Sequence, residues 1–210
     1  DEALSEVIMK RDITPIDQFT GKAVVPLNYE CTMEKFETTK LYFGFPVVIL
    51  GYEDSNWGHN ITTISSSYTL KDTLVIGIYK KGNAVKQITE TNRFSINIPD
   101  KSLEKQFIEA GSSSGTDKLK STGLKHIIQK DYNVPILTDC MLSMVCEVQK
   151  MEEYGNFVHI IADIKERYLS QKFIKDNKMD VSGFNPVYFM GDEHERFYRY
   201  LNEEVVPDKR

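Results

Sequence analysis

The chain has few of the residues that mark several large protein classes. It contains three cysteines, Cys31, Cys140 and Cys146, and no Cys-x-x-Cys. That pattern excludes a disulfide framework and a zinc ribbon, and it fits a reducing compartment such as the cytoplasm. There is no basic excess either: 26 Lys and Arg face 31 Asp and Glu, for a net charge of −5. A stripe for nucleic-acid phosphate or an anionic membrane is therefore not expected. Apolar runs such as Phe45 to Leu50 fall far short of the roughly 20 residues that cross a bilayer. Asp1 to Arg11 is too charged for a signal peptide, and a start without Met leaves room for a removed leader.

Catalytic and phosphate motifs are also scarce. Gly111-Ser-Ser-Ser-Gly115-Thr-Asp-Lys118 lacks the Gly-Lys-Ser/Thr ending of a phosphate loop, and no Gly-x-Gly-x-x-Gly occurs. His194-Glu195 has no second histidine, and His59, His126 and His159 are scattered singly, so no metal set is predicted. There is no Gly-x-Ser-x-Gly elbow. Asn60-Ile61-Thr62 is formally a glycosylation sequon and matters only in a secreted chain.

What is present is the composition of one folded domain. The 210 residues are 40% hydrophobic, with 11 Phe, 11 Tyr and a single Trp, enough for one aromatic-rich core. Ala3, Leu4, Val7 and Ile8 suggest a short amphipathic helix before Pro15. FPVVILG from Phe45, a turn-rich loop from Tyr52 to His59 with Gly58, and ITTISSS from Ile61 to Ser67 read as a hairpin. Thr73 to Tyr79 and Arg93 to Ile98 are further strands, with a short helix between Asn83 and Thr91. Asp100 caps a helix whose Leu103, Phe107 and Ala110 share a face, and Gly111 offers a left-handed stop. A second helical piece ends near Gly123. Met141 to Val148 and Phe157 to Leu169 form a long hairpin around Tyr154-Gly155-Asn156. Pro186 to Met190 gives a last strand, and Phe197, Tyr200, Leu201 and Val205 predict a closing helix. Six or seven strands with few parallel crossovers point to a barrel.

Two features carry chemistry. The first is the hydroxyl run Thr62, Thr63, Ser65, Ser66 and Ser67. It reads either as a solvated edge strand or as a strand along which a planar heterocycle lies, with small side chains admitting it and hydroxyls bonding its polar edge. The second is Lys80-Lys81-Gly82-Asn83 after a strand and before a helix. It reads either as solvent-facing edge lysines or as a phosphate grip of two cations, a glycine and free helix N–H groups.

The ordered set Pro46-Val-Val-Ile, the Gly58 turn, Asn60-Ile-Thr-Thr-Ile-Ser-Ser, the strand before Lys80, Phe94-Ser-Ile-Asn97-Ile-Pro, Ser114-Gly115-Thr-Asp117-Lys118, Pro135-Ile-Leu and Asn185-Pro-Val-Tyr resembles the flavin reductase-like, FMN-binding split-barrel family over about residues 40 to 200. The resemblance implies a mainly β fold: a closed six-stranded antiparallel Greek-key barrel with peripheral helices. It implies one domain over 1–210, with a helical or extended N-terminal extension over 1–40 and a barrel core with its closing helix over 40–200. FMN is implied near a homodimer interface. Carried over, Asn60, Thr62, Thr63, Ser65 and Ser66 lie beside the ring and ribityl chain. Lys80, Lys81, Gly82 and Asn83, with Ala84, form the phosphate side. Ser114, Gly115, Asp117 and Lys118 border the flavin. Ala84 departs from the Ser or Thr of many relatives, with Asn83 as the substitute.

The activity so implied is an FMN-dependent oxidoreductase taking hydride from transiently bound NADH or NADPH and passing electrons to free flavin, iron or a protein. No protein acid or base is identified. The alternatives are a flavoredoxin-like electron carrier that meets no nicotinamide, and a split barrel for another ligand such as haem. Trp57 and the segment Ser112 to Lys118 are candidates for shaping the exposed flavin face.

Overall fold

The computed structural model describes Met33 and residues 35–201. The chain divides into Asp1–Glu37 and Thr38–Arg210, and the second unit carries the fold. The helix expected over Ala3 to Ile8 and the contribution expected from Val205 lie outside the described residues.

In chain order the elements are β1 (Leu41–Pro46), β2 (Val48–Asp54), β3 (Gly58–Ile64), β4 (Ser67–Leu70), β5 (Thr73–Tyr79), α1 (Asn83–Thr91), β6 (Arg93–Ile98), α2 (Glu104–Ser112), α3 (Lys118–Thr122), β7 (His126–Gln129), β8 (Val134–Leu137), β9 (Leu142–Tyr154), β10 (Phe157–Leu169), β11 (Ile174–Lys175), β12 (Lys178–Met179), β13 (Val187–Asp192) and β14 (Arg196–Tyr200). Seven strands form one sheet in the order β3-β2-β6-β9-β10-β5-β4, all neighbours antiparallel.

The two edge strands of that sheet, β3 and β4, are consecutive in the chain and separated only by Ser65 and Ser66. Laid flat, seven strands would hold their edges about 29 Å apart at ~4.8 Å per strand. From Ile64 to Ser67 the backbone reaches at most about 11 Å at ~3.8 Å per residue. The sheet therefore curls until the end of β3 and the start of β4 come together, which makes a split barrel whose seam is the serine pair, its two edges not hydrogen-bonded to each other. The Gly77 N–H donates to the Ser66 carbonyl at 2.9 Å across the β4 side of that seam.

Every second residue of the strands faces the interior, as the pleat requires. Val48, Leu50 and Tyr52, Leu74, Ile76 and Ile78, Phe94 and Ile96, and Val158, Ile160 and Ala162 form one core, closed by Ala84, Val85 and Ile88 of α1. Each fully buried aliphatic side chain there contributes about 1.5–3 kcal/mol. The run PVVIL has no polar alternation because β2 is covered on both faces. Val47, before the strand, and Ile49 pack outward under Phe107, Ala110 and Leu119, beside Leu137 of β8. A separate sheet, β1-β13-β14, flanks this second core through Val187, Phe189, Tyr198 and Tyr200.

Several expectations are corrected. The loop assigned to Tyr52 to His59 shrinks to a turn at 55–57, because β2 continues to Asp54 and β3 begins at Gly58. Gly111 does not stop its helix. It keeps a helical backbone, and α2 ends at Ser112 with an extended Ser113, while the Ser112 and Ser113 hydroxyls both donate to the Glu109 carbonyl. The glycine serves approach instead, since a Cβ there would stand 3.3 Å from the Thr63 Cβ. The closing helix through Phe197, Tyr200 and Leu201 is strand β14 with Leu201 just beyond it. Tyr198 and Tyr200 turn inward and pairing with β13 overrides the helical spacing. Among the described residues no helix is long and apolar enough to cross a membrane, and no cluster of His, Cys, Asp or Glu suits a metal ion.

Candidate functional site

A cavity of about 330 Å³ opens beside the seam. Strand β3 lines it with Asn60, Thr62, Thr63 and Ile64, followed by Ser65. Tyr52 enters from β2, Ile78 and Tyr79 from β5, Gly82 to Val85 from the start of α1, and Ser113, Ser114, Gly115 and Lys118 from the far side.

A polar network fixes one wall. The buried Asp54 carboxylate accepts hydrogen bonds from the Asn83 amide at 2.7 Å, the Asn60 amide at 3.3 Å and the Asn56 N–H at 2.9 Å. Asn60, only 2% exposed, also donates to the Thr116 carbonyl, and its own carbonyl oxygen accepts the N–H groups of Ile61 and Lys118. Both ends of this amide are occupied, so the formal sequon is a packing device. Tyr52, opposite Asn60 in the β2–β3 register, is 1% exposed. Burial pushes its phenol up to about 12, a hydrogen bond with Asn83 works against this, and the Asp54 charge adds to it.

Lys118 is the unusual group. Its side chain is buried, and the ammonium donates to the Ala110 carbonyl at 2.9 Å and the Thr62 hydroxyl at 3.3 Å. Both partners are neutral. Burial alone lowers its pKa below the usual lysine value, the expected response of a cation held without a counter-charge. α3 places it there because Asp117 caps the helix by accepting the Lys120 N–H, and Gly123 closes it in a left-handed conformation.

Of the sequence-derived candidates, Asn60, Thr62, Thr63, Ser65, Gly82, Asn83, Ser114 and Lys118 share this cavity. Ser66, Lys80 and Lys81 are not among its lining residues. Ser66 faces a different recess with Phe45, Tyr68 and His159. Lys80 pairs with Glu153 at 3.1 Å, and Lys81 is exposed. Thr63 lines the wall with its proton committed to the Phe107 carbonyl at 2.6 Å. Asn83 does not replace a hydroxyl freely, because Asp54 and Gln87 hold its amide. Asp117 is a cap, and Trp57 sits in the β2–β3 turn, 46% exposed, away from the lining. Ala84 and Gly115, both carried over with the flavin site, and Ser113, within the segment expected to shape the flavin face, also line it; Tyr52, Ile64, Gly77, Ile78, Tyr79 and Val85 complete the wall and went unread in the sequence. The signal available for Tyr52 was its hairpin register against Asn60.

The donor set suits a flavin. Tyr52, Ile64, Ile78 and Val85 supply apolar walls for a ring, and the hydroxyls of Ser65 and Ser114 have no partner among the described residues. The first turn of α1 has no side-chain cap and no acidic residue, which leaves backbone N–H groups open toward an anion.

Comparison with known proteins identifies the family and the fold. Residues 41–190 match the family model of the flavin reductase like domain. Flavoredoxin of Desulfovibrio vulgaris is 20% identical, covers 84% of this chain and 98% of its own, and superposes with a TM-score of 0.74. Flavoredoxin from Methanosarcina acetivorans is 19% identical over 85% and 97%, with a TM-score of 0.73. An FMN-binding protein from Thermus thermophilus is 14% identical over 84% and 97%, with a TM-score of 0.67. At these identities the likeness is one of fold. An uncharacterized protein of Pyrococcus abyssi is 25% identical over 89 residues, so the match spans about half (52%) of that curated relative's length. Because the family model spans over two-thirds of the sequence, the chain belongs to the flavin reductase-like domain family, a flavin-related oxidoreductase family with a split-barrel fold.

Proposed function

We propose that the cavity holds FMN and that the chain is an oxidoreductase taking electrons from NAD(P)H and passing them to free flavin, iron or a protein. The observation that carries this reading is one cavity with a buried, counter-charge-free ammonium at Lys118 and an open helix start at Gly82 to Val85. The two electron-rich ends of FMN, the ring's carbonyl edge and the phosphate, each have a complementary partner there.

When bound, FMN supplies hydride acceptance and electron release. The chain's own residues place and tune it. Lys118 and the Ser65 and Ser114 hydroxyls orient the polar edge. Tyr52, Ile64 and Val85 exclude water from one face, and the phenol of Tyr52 stays protonated at neutral pH. The phosphate role moves from Lys80 and Lys81 to the backbone N–H groups of α1. Among the described residues the lining holds no His, Cys or Met as an axial haem ligand, which leaves only the tyrosines Tyr52 and Tyr79 for that role.

The likeness to two flavoredoxins keeps a second reading alive, an electron carrier that meets no nicotinamide. Anaerobic mixing of FMN-loaded protein with NADH and, separately, NADPH, followed by flavin absorbance, decides between them. Bleaching with either supports the reductase. Reduction only by a reduced protein partner replaces it with the carrier. The protein is further proposed to work as a homodimer in the cytoplasm. Support comes from the apolar recess of Phe45, Tyr68 and Val75 beside edge strand β4 and from the free buried thiols of Cys140 and Cys146.

A further inference from the structure

A second cavity, of about 290 Å³, lies across the same stretch of backbone as the first. The two share Thr63, Ile64 and Ser65, so one strand end is the wall between them. The other side of the second cavity is built by Val47, by Phe107 and Ile108 of α2, and by Phe189 and Tyr198 of the β13–β14 sheet. Gly111 permits the close approach of α2 to β3 on this side.

The chemistry of this lining is selective. Among the described residues it holds no carboxylate, ammonium, guanidinium or imidazole. Its one titratable group is the Tyr198 phenol, which burial and the nearby Glu104 charge keep neutral. Tyr198 stands edge-on to Phe107 at 5.1 Å between ring centroids and tilted against Phe189 at 5.5 Å. The Thr63 and Ser112 hydroxyls donate to the Phe107 and Glu109 carbonyls and Ser65 is taken by the flavin, which leaves the Tyr198 phenol as the free hydroxyl of this lining. A dinucleotide, with its diphosphate, meets no cation here. A flat uncharged ring meets aromatic edges and one hydroxyl.

We propose that this second cavity is the binding site of an uncharged, one- or two-ring quinone-like electron acceptor, held one strand away from the flavin. Binding follows from the lining alone. The electron-transfer half rests on the flavin reading of the first cavity. In that half, a reduced flavin, itself reduced by a nicotinamide, gives the quinone two electrons and a proton. Solvent gives a second proton, and the products are oxidised flavin and hydroquinone.

The test uses 2-methyl-1,4-naphthoquinone and its charged counterpart 1,4-naphthoquinone-2-sulfonate, titrated by equilibrium dialysis into flavin-loaded and flavin-free protein. Of these two cavities Ile108 lines the second and not the first, and it is 40% exposed, so it accepts new side chains without unfolding the core. The expected result is saturable binding of the neutral quinone in both forms, with the sulfonate at least tenfold weaker. Ile108→Asp should weaken the neutral quinone about tenfold, Ile108→Lys should recover the sulfonate, and FMN affinity should stay the same in both variants. The proposal is overturned if the sulfonate binds as well as the neutral ring, if neither Ile108 variant changes binding, or if the quinone displaces FMN. Quinone binding that responds to Ile108 in a protein that takes up no flavin would sink the flavin reading and leave the second site standing.

Discussion

Lys118 brings a positive charge into a place where its partners are a carbonyl and a hydroxyl. Buried charges are ordinarily paired, so in the flavin-free protein this ammonium is a cost that deprotonation relieves. Its folded pKa is lowered; between that value and the ordinary lysine value the unfolded chain holds a proton that the folded chain lacks. Stability therefore rises with pH through that window. The stability of flavin-free protein minus that of Lys118→Met should climb as pH approaches the usual lysine range, measured by denaturant unfolding at several pH values. A flat difference would show that the ammonium has a counter-charge after all. With FMN bound, the same substitution should weaken affinity about tenfold or more, the scale of one charge-assisted hydrogen bond of about 1.5–3 kcal/mol.

At the scale of elements, β2 passes close under β8. A Cβ on Gly51 would lie 2.5 Å from the Ser95 hydroxyl oxygen, 2.8 Å from Pro135 Cγ and 3.0 Å from the Pro135 carbonyl oxygen. Gly51→Ala should destabilise by about 1–3 kcal/mol, the usual range for overpacking, read as a lower denaturation midpoint at unchanged slope. An unchanged midpoint would mean that the β8 hairpin gives way freely. This packing also shows why the sequence was only partly legible. β5, α1 and β6 could be placed because each carries its own period and its own ends. The hydroxyls of β3 stood out because they break an apolar pattern. Tyr52, Ile78 and Val85 line the site with side chains that look like core, and nothing local separates a wall from a filling. The β7–β8 hairpin went unread, being two four-residue strands too short to carry a period of their own. β14 was misread because Phe197, Tyr200 and Leu201 fit a helical spacing until β13 is there to pair with. Lys80 and Lys81 were read for their charge, and the pairing of Lys80 with Glu153 is a contact that only the fold could show.

For the whole molecule, the exposed apolar surface is uneven. Phe43 is 73% exposed, Leu70 65% and Tyr68 57%, the last two on an edge strand that offers unpaired backbone groups. Edges of that kind are normally blunted or covered, and a second copy related by twofold symmetry is the commonest cover. Light scattering on flavin-loaded protein at micromolar concentration should give twice the 24.2 kDa of one chain. A mass of one chain would remove the dimer and require another account of these side chains.

Ser65 and Ser66 have so far been a link between strands and a stretch of cavity wall. They are also the place where the length of this chain matters most. Surface connections usually tolerate insertion, because lengthening them moves nothing else. Here the two residues set the circumference of the barrel, and Ser65 separates the two cavities. One added residue would loosen the clasp and reshape both cavities at once, which makes this two-residue connection a gauge for everything the molecule can hold.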